Sequence, residues 1–181
     1  MTRLRALAIA AACAALTPTL AGQSYVPNRV YDTAQDSFSD FEAMTASLVW
    51  ADVVLVGEQH DDPNTHRLEL AVLEGLARRK RSVIVSMEMF ERDVQEPLDH
   101  FQLGHLAEDE FLKLSRPWPR YPTDYKPLVD FANARNWPVV AANVPQPIAS
   151  EAAKGGLDVL ASKTADDRRL FAKDLECPTA S

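Results

Sequence analysis

Three short β-favouring runs, each ending abruptly on polar side chains, constrain this chain more than any other feature of its sequence. The first is Asp52-Val-Val-Leu-Val-Gly-Glu-Gln-His60. Four consecutive apolar residues, Val53 to Val56, read as a strand buried on both faces, because a strand with one wet face would alternate. Gly57 lets the backbone turn, and Glu58, Gln59 and His60 then fall just past the strand's carboxyl end. The second run, Ser82-Val-Ile-Val-Ser-Met87, ends on Glu88-Met-Phe-Glu-Arg92. The third, Val139-Val-Ala-Ala142, ends on Asn143.

The segments between these runs have helical spacing. Phe41, Met44, Ala46, Leu48 and Val49 form one apolar face, with Ser39 or Asp40 as N-cap. Leu68, Val72, Leu73, Leu76 and Ala77 form another, capped by Asn64 or Thr65, and Arg78-Arg-Lys-Arg81 suits the negative end of that helix dipole. Residues 94–115 read as helix broken near Gly104, and residues 148–175 as helix broken at Gly155-Gly156. Strands joined by helices predict an α/β fold with a parallel-sheet core and helices on both faces. Ligands of such sheets bind beyond the strands' carboxyl ends, which gathers Glu58, His60, Glu88 and Asn143 at one edge.

Arg3 and Arg5 precede an apolar stretch from Ala6 to Leu16, the pattern of an export signal over residues 1–21. Ala10-Ala-Ala-Cys13 offers a second reading, a lipoprotein signal over residues 1–12 with Cys13 as the lipidated residue. Both lead to the bacterial periplasm or cell envelope. Residues 22–37 read as a linker or surface arm, and 38–181 as one domain. Loss of the leader removes two of the 19 basic residues against 26 acidic ones, so the net charge moves from −7 to −9. A globally acidic exported chain is a poor nucleic-acid binder. Cleavage after Ala21 leaves Cys177 alone, which excludes an internal disulfide and a thiol-based metal cluster.

Two kinds of chemistry fit the polar clusters. His60 beside Glu88 could activate water, with or without a metal, as a hydrolase does. The simpler alternative is that Glu58 and Glu88 serve loop amides or pair with Arg92. A different class is suggested by Arg116-Pro-Trp-Pro-Arg-Tyr-Pro-Thr-Asp-Tyr125, where three prolines predict a stiff, non-helical loop. Thr123 or Asp124 would cap the helix that follows, with Pro127 in its first turn. Trp118, Tyr121 and Tyr125 beside Arg116, Arg120 and Lys126 contain what haem requires: flat apolar walls, a phenol able to ligate ferric iron, and cations for the propionates. Taken alone, such a segment is more often a loop packed on its own domain.

Val-Leu-Val-Gly-Glu-Gln-His60-Asp, Met87-Glu-Met-Phe-Glu-Arg92 with Gln95, Asp124-Tyr-Lys-Pro-Leu-Val-Asp-Phe-Ala132 and Val139-Val-Ala-Ala-Asn143 together resemble the ChaN-like family of iron-regulated bacterial lipoproteins, in the haem-binding uptake and Tiki superfamily. The resemblance implies an α/β sandwich of the ChaN and erythromycin-esterase type, longer than this chain at its C-terminal end. It also implies haem binding in iron acquisition, in a homodimer that stacks two haems, with an outer-membrane haem receptor or another envelope protein as further partner. Carried onto this chain, it makes Tyr125 the first candidate for the haem iron and Tyr121 the second. His60 and Lys126 become propionate contacts, and Glu58, Glu88, Arg92 and Asn143 further pocket residues. Hydrolases in the same superfamily keep the His60 and Glu88 alternative open.

Overall fold

The structure is a computed structural model that describes residues 29–172. The expected leader, Cys13 and Cys177 lie outside the described residues. The arm expected over 22–37 ends in a hairpin, β1 (Val30–Asp32) against β2 (Ser37–Ser39). Asp32 Oδ1 accepts from the Ala34 and Gln35 amides to close its turn.

Helix α1 (Phe41–Leu48) begins at Asp40, whose side chain accepts from the Ala43 amide at 2.7 Å. Helix α2 (Pro63–Ala77) is capped by Asp62, two residues before Asn64, the earlier cap that the sequence suggests, because Pro63 needs no amide partner at the first position. The two helices cross where Gly75 meets the fully buried Thr45. A Cβ on Gly75 would stand 2.7 Å from Thr45 Cγ2. Gly75→Val should therefore destabilise the chain by about 1–3 kcal/mol, the usual cost of overpacking. Urea unfolding reads this, and an unchanged midpoint would show that the two helices can separate freely. Arg78 and Arg79 at the end of α2 bond Glu42 of α1 at 2.5 and 2.7 Å, exposed pairs that add little stability.

The parallel sheet is made by β3 (Val85–Glu91) and β4 (Val139–Asn143), with Val85 opposite Val139 and a bulge before Glu91 meets Asn143. Buried Val85, Met87 and Met89 alternate with exposed Ser86 and Glu88, and Val139 and Ala141 alternate with exposed Val140. Among the described residues, one face of this pair carries the core. Helices α3 (Gln95–Gln102), α4 (Glu108–Ser115) and α5 (Lys126–Asn133) lie between the two strands in the chain, and α6 (Gln146–Gly155) follows. Phe90, Phe111 and Tyr121 meet edge to face in the core, and Phe101 stacks flat on Phe111 with centroids 4.4 Å apart.

The free edge of β4 is occupied by side chains. Gln95 Oε1 accepts from the Ala141 amide at 2.7 Å while its Nε2 donates to the Val139 carbonyl. Seven residues on, Gln102 Oε1 accepts from the Val139 amide at 2.9 Å while its Nε2 donates to the Trp137 carbonyl. Two glutamines on one face of α3 thus take the part of a neighbouring strand.

Three expectations are corrected. Residues 53–56 do not form a buried strand: they join no ladder, and Val53 and Leu55 are 73% and 91% exposed. An all-apolar run reports a demand for burial but not its partner, and among the described residues nothing covers this one. The parallel pair is therefore the second run with the third, not the first with the second. The second strand also extends through Glu91, which places Glu88 on the strand's exposed face. The proline-rich loop is partly helical too, because Tyr121–Tyr125 makes one π-helical turn that runs into α5, with Pro122 at its start.

Candidate functional site

The turn at Gly57 returns Glu58 towards the first turn of α2, where His66 and Glu69 lie three residues apart on one face. His66 is 3% exposed. Its Nε2 donates to the His60 carbonyl at 3.2 Å, which fixes the tautomer and aims Nδ1 at carboxylates. Nδ1 lies 3.1 Å from Glu69 Oε2 and 3.1 Å from Glu58 Oε2. Asp124 Oδ2 stands 3.5 Å from Nε2 and is held by the Arg120 guanidinium.

The proline-rich segment closes over this group. The Tyr125 hydroxyl donates to Glu58 Oε1 at 3.0 Å, and the same oxygen is 2.6 Å from His60 Nδ1. The Tyr125 ring packs on the His66 ring at 4.7 Å, and Trp118 meets both His60 and Tyr125 edge to face. His60 is 59% exposed at the mouth, whereas Tyr125 is 4% exposed beneath it.

This crowding shifts protonation equilibria. Burial, and then the hydrogen bond to Glu58, hold the Tyr125 hydroxyl far above the ordinary phenol range. Burial raises the Glu69 carboxyl. Burial alone would lower His66, but the His60 carbonyl and Glu69 together raise it. The Arg120 guanidinium lowers Asp124. A cavity of about 310 Å³ opens beside the group, lined among others by His66, Arg67, Leu70 and Asp124.

Of the residues singled out in sequence, Glu58, His60 and Tyr125 come together. Tyr121 does not join them: it is buried between Phe90 and Phe111, its hydroxyl finds no partner among the described residues, and burial pushes its pKa up to about 12. Lys126 Nζ is engaged by Glu108 and Asp130, each at 3.0 Å. Arg92 donates to the Ala142 carbonyl, and Asn143 sits in β4 opposite Glu91. Glu88 makes no side-chain hydrogen bond among the described residues, so the carboxylate that meets His60 is Glu58, not Glu88. His66, Glu69 and the inward turn of Asp124 were not anticipated. A readable signal existed in the His66 and Glu69 pair at helical spacing, seven residues before Leu73 on the inner face.

The family model described as haem-binding uptake, Tiki superfamily, ChaN matches residues 44–181. The chain belongs to this family. Comparison with curated proteins and with solved structures yields no match. The ChaN match spans the whole group around Glu58 and Tyr125, and the parallel α/β core that carries it.

Proposed function

We propose that this protein binds ferric haem in the bacterial envelope as part of iron acquisition, with Tyr125 as the iron ligand. Its membership of the ChaN family and one contact support this reading: the Tyr125 hydroxyl donates to a half-buried carboxylate, Glu58, under a roof of Trp118 and His60. The donor set suits the group, since ferric haem supplies a Lewis-acidic centre that a phenolate satisfies. Tyr125 would hold the iron, and Trp118 would offer its ring to the porphyrin plane.

A buried phenol this hard to ionise must pass its proton on before it can ligate. Glu58 Oε1 is placed to take it, so the negative charge moves from carboxylate to phenolate without an unpaired charge forming. Exposed His60 can meet a propionate. Lys126 can do so only by leaving Glu108 and Asp130, whereas Arg67 lines the cavity and forms no ion pair among the described residues.

Hemin titration of the full chain is expected to give a saturable Soret shift, changed in Tyr125→Phe and unchanged in Tyr121→Phe. No saturable shift would remove the binding claim. Equal spectra for Tyr125→Phe and the parent would remove the ligand assignment.

A further inference from the structure

We infer that Glu58, His66 and Glu69 form a binding site for one divalent transition-metal ion, separate from haem iron although Glu58 also meets Tyr125. One nitrogen of His66 and one oxygen from each carboxylate lie within 4.8 Å of one another. His66 is buried, and Glu58 and Glu69 are nearly so, with side-chain exposures of 2%, 9% and 13%.

The decisive detail is an oxygen without a hydrogen. Among the described residues, the fully buried Glu58 Oε2 accepts no hydrogen bond. The nearest donor atom, His66 Nδ1, is 3.1 Å away, but its hydrogen-bonding direction is taken by Glu69 Oε2. The His60 carbonyl requires a proton on Nε2. A neutral ring therefore points a bare nitrogen lone pair at two carboxylate oxygens. Protonating Nδ1 satisfies Glu69 alone and leaves Glu58 Oε2 an orphan, a rarity among buried polar atoms.

A metal ion satisfies all three donors at once. Bond lengths of about 2.0–2.2 Å in a tetrahedral site put ligand atoms about 3.3–3.6 Å apart, close to the two 3.1 Å separations already present. The His60 carbonyl on Nε2 is the outer hydrogen bond that orients a ligating imidazole. One imidazole with two carboxylates suits Mn(II), Fe(II), Co(II) or Zn(II) rather than a soft thiophilic ion. Asp124 and Arg120 stand behind the ring and balance each other.

Cobalt(II) is the probe. The full chain, stripped with a chelator, is titrated with Co(II) and followed by visible absorption. The expected result is saturation at one equivalent with d–d bands. His66→Gln and Glu69→Gln should each weaken binding by at least about 10–100-fold, the loss that even outer partners of a metal site cause. Should His66→Gln fail to fold, Glu69→Gln, which keeps the side-chain shape, carries the test. Saturable Co(II) binding that persists in Tyr125→Phe, together with hemin binding that persists in Glu69→Gln, supports two separate sites. No saturable absorption, or undiminished affinity in the Glu69→Gln variant, overturns the metal site. Loss of hemin binding in the parent with Co(II) binding intact overturns the haem reading only.

Discussion

Replacing Gln95 and Gln102 together by leucine is expected to destabilise the fold by about 2–6 kcal/mol. Each glutamine supplies both an acceptor and a donor to β4, so the double variant strips partners from the Ala141 and Val139 amides and from the Val139 and Trp137 carbonyls. A buried backbone group left without a partner costs roughly 1–3 kcal/mol, and water reaching the half-buried edge recovers part of that. Leucine fills similar volume, so the loss reports hydrogen bonding rather than a cavity. Denaturant unfolding of both single variants and the double measures it. The two substitutions should not add, because they act on one strand. The double variant should also associate more readily, since an unguarded strand edge pairs with other chains. A double variant within about 0.5 kcal/mol of the parent would show that the glutamine clasp is incidental.

Much of the helical architecture was legible because caps and periodicity are local. Asp40, the break at Gly104 and the run from Val139 to Asn143 each carry their own signal within a few residues. The stretch from Val53 to Val56 was misread for the opposite reason. Strand pairing is a relation between distant segments, and an apolar run of four states only half of it. The π-helical turn at Tyr121–Tyr125 escaped notice because Pro122 stands at its start, where a missing amide costs nothing.

The site divides in the same way. Gly57, Glu58 and His60 stood out because polar residues interrupt an apolar run, and Tyr125 because aromatics cluster around it. His66 and Glu69 looked like ordinary polar positions of an amphipathic helix. Only the loop folding back from Gly57 makes that side of α2 an interior. Lys126 and Arg120 were read as free cations, yet each is engaged by carboxylates within four residues in sequence, Asp130 and Asp124. Charge in sequence does not show which partner has claimed it.

That loop also bears on ligand binding. Leu55 and Val56 are exposed immediately before the turn that carries Glu58 and His60. A broad apolar ligand seated against Trp118 and His60 would have apolar surface within a few residues. Covering such surface contributes about 25 cal/mol for each Å² removed from water.

The ferric haem spectrum of Tyr125→Phe beside that of the parent chain tests the central claim most directly. Phenylalanine keeps the ring that packs on His66 and Trp118 and removes only the oxygen, so the fold and the aromatic wall should survive. The account predicts a saturable phenolate-type spectrum for the parent, and for the variant either a different axial signature or binding weaker by at least about tenfold, the equivalent of 1.4 kcal/mol. Glu58→Gln should shift in the same direction and show a steeper requirement for high pH, because the group that receives the Tyr125 proton is gone. Identical spectra and affinities for parent and Tyr125→Phe would contradict the account.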